Sequence, residues 1–155
     1  VVTGANSGPG LRTAEALAAK GVHVPMACRN ELEAAAALEQ VSAGATGPKP
    51  EVLPLDLADL ASIHRAADHL DPRHNAIDLL VNNAGVMALP KNIRTAQGFD
   101  VQFGTNHLGH YARTGLLLPG LVATVHAPRD HSTEGRGPVP HARIRLLFTA
   151  CPDCA

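Results

Sequence analysis

The chain has 155 residues, 45% of them apolar, which is enough for one globular domain with a real hydrophobic core. Its 13 Lys and Arg against 14 Asp and Glu, with the basic residues scattered, favour neither nucleic acid nor an anionic membrane surface nor an acidic partner. No apolar run approaches the roughly 18 residues of a membrane span, no leader segment is recognisable, and three cysteines make no disulfide framework; the expectation is a soluble, cytoplasmic protein.

In chain order, Val1–Thr3 reads as the end of a buried strand. The chain starts without Met, so this strand is expected to have lost its opening residues. Gly4–Gly10 supplies a flexible turn, and Leu11–Lys20 places Leu11, Ala14, Leu17 and Ala18 on one helical face. Gly21 is positioned to end that helix in a left-handed conformation. Val22–Cys28 is a second strand, and Glu31–Ser42 an alanine-rich second helix ending near Gly44. Val52–Leu57 is a third apolar run. Leu60–Leu70 has helical spacing through Ile63, Ala67 and Leu70, and Ile77–Val81 is a fourth strand. A longer helix is predicted from about Gly98 to Leu118. Alternating strands and helices with short connections imply right-handed crossovers and a parallel sheet covered on both faces, the doubly wound α/β class. The pattern supports about four to five strands, an incomplete sheet.

The unit with chemical content is TGANSGPG, Thr3–Gly10, three glycines spaced G-x-x-x-G-x-G between a strand and a helix. Glycines let a backbone approach a pyrophosphate closely, and the free amides and dipole of a helix start favour its negative charge. Further matches follow in order: ACRN (Ala27–Asn30), LDL (Leu55–Leu57), NNAG (Asn82–Gly85) and GFDVQFGTNHLGHYARTGLLLP (Gly98–Pro119). Together they resemble the short-chain dehydrogenase/reductase family, which has the fingerprint TGxxxGxG, and ACRN resembles its retinol-dehydrogenase-like branch. The likeness covers roughly residues 1–120, and the chain reads as a member truncated or altered after about residue 125.

The resemblance implies a Rossmann-type fold, hydride transfer between a nicotinamide and an alcohol or carbonyl substrate, and a cofactor held by Gly4, Asn6, Ser7, Gly8 and Gly10. Asp56 would face the adenine, Leu57 beside it would also belong to the cofactor site, and Asn83, Ala84 and Gly85 would lie along the adenosine and ribose. Arg29 stands where NADP-preferring members carry a basic residue that pairs with the 2′-phosphate, so NADP is expected ahead of NAD. For Asn82 and Asn83 a local turn cap is the competing reading, and for Arg29 a solvated charge.

Asn106 matches the family's active-site asparagine and is the only catalytic match. The family's tyrosine and the lysine that lowers its pKa have no counterpart: the single tyrosine, Tyr111, is followed four residues later by Gly115, and no lysine follows Lys91. Tyr111 is therefore read as a core or helix-face aromatic, and Thr149 as a strand threonine more than a substitute for the family's serine. Three prolines also depart from expectation. Pro9 lacks an amide that could reach a pyrophosphate but suits a first helical turn, and Pro25 and Pro54 are expected to remove ladder bonds from the second and third strands.

Residues 126–155 form a divergent tail, rich in Pro, Gly, His and charge, read as loop or disorder with room for a fifth strand at 142–150. Its CPDC ending, Cys151–Cys154, has the spacing of a redox pair or half a zinc site, but a metal site would need ligands from His126, His131 or His141 and none is assigned. His107 and His110 are read as packing or helix-surface residues. Three outcomes stay open: an incomplete or altered dehydrogenase of residues 1–125, a non-catalytic nucleotide-binding or interaction module with room for an oligomer, and a decayed fragment.

Overall fold

The computed structural model describes residues 1–70, 76–89, 93–126 and 143–146. Five parallel strands, β1 (Val2–Thr3), β2 (Pro25–Cys28), β3 (Glu51–Pro54), β4 (Leu79–Asn82) and β5 (Arg143–Leu146), form one sheet in the order β3-β2-β1-β4-β5. Helices α1 (Gly8–Ala18), α2 (Glu31–Ala43) and α3 (Leu60–Leu70) connect the first four strands. A short helix α4 (Val101–Phe103), a π-helical segment (Gly104–Gly109) and α5 (His110–His126) then follow one another without a break. This is an incomplete Rossmann-type doubly wound sheet, as the alternation of elements implies. No helix among the described residues is long and apolar enough to cross a membrane.

The strands' period of two sorts the core. Met26, Cys28 and Val81 face α1 and α2 with Ala14, Ala18, Ala34, Ala37 and Val41, while Ala27 and Leu80 face the other way among Ile63, Ala67, Leu70, Leu117 and Leu121. Gly21, at φ +76°, ends α1 as expected. The Gly21 amide donates to the Ala18 carbonyl and the Val22 amide to the Leu17 carbonyl, the paired bonds of a Schellman ending.

Several boundaries differ from expectation. The first turn is shorter, because Gly8 and Pro9 already lie in α1 and proline fits that first turn. Val22–Val24 precede β2 instead of belonging to it. The last helix runs past Pro119 to His126, since Leu117 and Leu121, four apart on either side of the proline, are both buried in the core and the Gly120 carbonyl accepts from the Ile77 amide.

The prolines cost less than expected. Pro25 is the first residue of β2, a position that tolerates a missing N–H. Pro54 lies on β3, the edge strand on that side. The Glu51 amide donates to the carbonyl of Val24, just before β2, and the Leu55 amide to that of Cys28, so alternation turns the Pro54 nitrogen toward the open edge and removes no ladder bond.

Candidate functional site

The turn after β1 is shaped by two contacts that only glycine permits. Gly4 adopts φ +63°, and a Cβ there would press against Ala84 at 3.1 Å. At Gly10, in the first turn of α1, a Cβ would collide with the Gly4 carbonyl and the Asn83 amide group. Both contacts pull the start of α1 down against the end of β4.

Beneath the turn lies a hydrogen-bond knot centred on Thr3, which is fully buried. Its Oγ1 accepts from the backbone amides of Asn83 (2.8 Å) and Ala84 (2.9 Å) and sits 3.2 Å from His110 Nε2. The other ring nitrogen of His110, Nδ1, lies 3.1 Å from the Asn106 carbonyl oxygen. A carbonyl can only accept, so Nδ1 carries the proton and Nε2 is an acceptor, which shares the single Thr3 hydroxyl proton with the Val81 carbonyl 3.3 Å from Oγ1. Burial lowers the His110 pKa to about 4, partly opposed by the Asn106 carbonyl, with the Arg113 charge adding the smallest push downward, and the ring stays neutral at pH 7. Asn83 closes the knot: its side-chain amide donates to the Thr3 carbonyl at 3.0 Å, 80 residues away in sequence. It is therefore a long-range brace between the ends of β1 and β4.

These contacts frame an open cleft at the carboxyl ends of β1 to β4. Gly4, Asn6 and Ser7 line it from the first turn, Arg29 from the end of β2, Asp56 and Leu57 from the loop after β3, and Asn83, Ala84 and Gly85 from the end of β4. Gly8 and Gly10 do not line the cleft; Gly8 opens α1 and Gly10 packs beneath the turn. Pro9 does line it, at the second position of α1, where an amide is lost. Arg29 is exposed, and one oxygen of Asp56 accepts from the Ala58 amide at 2.8 Å. Cys28 also borders the cleft, but burial first, and the Glu33 charge with it, pushes its thiol up to about 11, so it is no thiolate nucleophile at neutral pH.

Asn106 lies in the π-helical segment, where the widened turn re-aims side chains. Its Oδ1 accepts from the Val86 amide and its Nδ2 donates to the Val86 carbonyl, both at 2.8 Å. The segment fits closely because a Cβ at Gly109 would strike the Leu57 carbonyl and one at Gly104 the Thr95 side chain. Tyr111, of the two readings open to it, is a helix-face residue, 76% exposed. His107 stacks on Phe103. Thr149, Cys151, Cys154, His131 and His141 lie outside the described residues, as does the His126 side chain. Among the described residues no three His, Cys, Asp or Glu side chains converge on a metal position.

Sequence reasoning missed three residues. Glu33 enters the cleft lining, and its spacing after Asn30 is that of a capping box, a legible signal. His110 is the buried partner of Thr3. Arg113 is 1% exposed: Nη1 donates to Asn82 Oδ1 at 3.1 Å, Nε and Nη2 have no hydrogen-bond partner among the described residues, and burial pulls its pKa down to about 9. Arg113, Leu117 and Leu121 fall at helical spacing on one stripe, the pattern that foretells its burial.

Comparison with known proteins agrees with this geometry. A family model described as short chain dehydrogenase matches residues 1–128. A short-chain dehydrogenase/reductase of Armillaria gallica is 45% identical over 123 residues, covering 79% of this chain and 40% of that protein. Retinol dehydrogenase 12 of Mus musculus is 41% identical over 121 residues, covering 78% and 38%. The chain thus spans about 40% of the length of these relatives. Among solved structures, a metagenomic short-chain oxidoreductase in complex with NADP is similar with a TM-score of 0.67 and 27% identity, covering 79% of this chain and 55% of that one. A 3-ketoacyl-(acyl-carrier-protein) reductase from Brucella melitensis complexed with NADH gives 0.65 and 27%, covering 80% and 50%. With the fold, the glycine turn and the family match in agreement, the chain belongs to the short-chain dehydrogenase family.

Proposed function

We propose that residues 1–125 are the nucleotide-holding part of an oxidoreductase of the retinol-dehydrogenase-like branch, with 126–155 a divergent tail, and that the 155-residue chain binds NADP in preference to NAD without turning over an alcohol or carbonyl substrate. The observation that carries this reading is the convergence of Gly4, Asn6, Ser7, Arg29, Asp56 and Asn83 on one cleft at the carboxyl ends of parallel strands. The residues fit a dinucleotide. The turn at Gly4, Asn6 and Ser7, with the positive dipole end of α1 behind it, faces a pyrophosphate, Arg29 offers a guanidinium to a 2′-phosphate, and Asn83, Ala84 and Gly85 border the space for a ribose. When bound, the nicotinamide would supply or take a hydride. Asn106 acts as a positioning residue, because both polar atoms of its side chain hold Val86 at the cleft wall.

Binding without turnover follows from the residues present. Tyr111 projects to solvent, no lysine follows Lys91, and the acid–base pair that moves a proton to or from a carbonyl oxygen is missing from these 155 residues. A thermal-shift series with NADPH, run beside an absorbance assay with an aldehyde, tests both halves. Stabilisation that grows with NADPH concentration, with no NADPH consumed, is the expected result. Consumption of NADPH would overturn the inactive reading, and a melting point indifferent to NADPH would overturn the binding reading.

A further inference from the structure

Glu33 is the third residue of α2, and both its carboxylate oxygens are fixed. Asn6 Nδ2 donates to Oε2 and Asn30 Nδ2 to Oε1, each at 2.7 Å. The carboxylate thus ties the glycine turn to the start of α2 across the rim of the cleft, and it shares the lining with Arg29. Both contacts come from neutral amides, and no ion pair among the described residues includes Glu33 or Arg29. Its negative charge is felt at the cleft floor, where it opposes ionisation of Cys28. Glu33 cannot swing away without giving up Asn6, so the cleft between this turn and the end of β2 is lined by both a guanidinium and a carboxylate.

These two charges act differently on the two dinucleotides. A ribose 2′-hydroxyl can donate to a carboxylate, whereas a 2′-phosphate carries about two negative charges at neutral pH and is repelled by one. We infer that Glu33 is a specificity residue of the cleft, bridging Asn6 and Asn30 so as to hold a negative charge beside Arg29 and weaken the preference for NADPH that Arg29 creates. The inference rests on the dinucleotide reading above, and it assigns to Glu33 a selective role and not a merely structural one.

The test titrates the 155-residue chain and its Glu33→Gln variant with NADPH and NADH, following nicotinamide fluorescence. Glu33 is exposed on a helix, so the substitution leaves the fold intact. NADPH should bind about fivefold more tightly to the variant, the worth of one partly screened charge pair, while NADH changes by less than about twofold. Unchanged NADPH affinity would overturn the inference, and so would an equal shift for both nucleotides, which would make Glu33 only an anchor for Asn6. Arg29→Gln separates the two levels: weaker NADPH binding there with no response at Glu33 leaves the dinucleotide reading standing and removes this one. Failure of either nucleotide to bind either protein removes both.

Discussion

Two buried polar groups one helical turn apart on α5 make an instructive pair. His110 has both ring nitrogens engaged, one by the Asn106 carbonyl and one by the Thr3 hydroxyl, and the chain of bonds runs on into the amides of Asn83 and Ala84. Arg113 has one nitrogen on Asn82 and two with none, and no carboxylate is paired with it among the described residues. The first group organises the cleft, because its bonds fix the ends of β1 and β4 relative to each other and leave no donor orphaned. The second carries the desolvation cost of a charge with only the Asn82 side-chain oxygen, among the described residues, to offset it. Burial of polar groups thus builds a site where the bonds close into a network and strains the fold where they do not.

The difference can be broken from either side. The largest effect is expected from Thr3→Val, which keeps the shape but leaves two buried amide donors and His110 Nε2 unpaired; it should cost about 3 kcal/mol in urea unfolding and weaken NADPH binding with it. Arg113→Met should act in the opposite direction. It removes a buried charge that has no carboxylate partner among the described residues, worth several kcal/mol, and the donor lost by Asn82 costs about 1 kcal/mol, so a net gain of about 2 kcal/mol is expected in the same unfolding curves. A loss of stability on this substitution would show that Arg113 has a partner that matters.

Protonation sharpens the contrast. The folded-state pKa of His110 is lowered from 6.5 to about 4, so the unfolded chain binds the proton first as the pH falls. Its stabilising contribution is therefore complete above pH 6.5 and declines toward pH 4. Between pH 7.5 and pH 5 the loss should be about 2 kcal/mol. The His110→Gln variant, compared with the wild type at both pH values, should lack that part of the slope. The smallest effect is expected at the exposed rim. Asn30 caps α2 by accepting from the Leu32 and Glu33 amides, and Asn30→Ala should cost about 1 kcal/mol, read from thermal melts with no pH dependence of its own.

The fold was readable because its signals were local and repeated. The alternation of strand and helix, the left-handed stop at Gly21 and the glycine turn each report a backbone requirement within a few residues. Residues lining the cleft were legible for a related reason: they follow strand ends, and in a parallel sheet all strand ends meet on one side. What stayed hidden were pairings across distance. Nothing near Thr3 announces that its hydroxyl is shared by Asn83, Ala84 and His110, 80 to 107 residues away. Pro54 misled because its effect depends on which way one nitrogen points and on β3 being an edge. Arg113 was passed over because a charge on a helix is ordinarily solvated, and only its stripe with Leu117 and Leu121 marks it as buried.

Amide chemical shifts recorded as NADPH is added to the isotopically labelled chain test the dinucleotide cleft most directly, since they report binding and its location together. Saturable shifts concentrated at Gly4–Gly10 (Pro9 excepted), Arg29, Asp56–Leu57 and Asn83–Gly85 are the expected result. Shifts that are absent, or that cluster away from the carboxyl ends of β1 to β4, would contradict the assignment of this cleft to a dinucleotide.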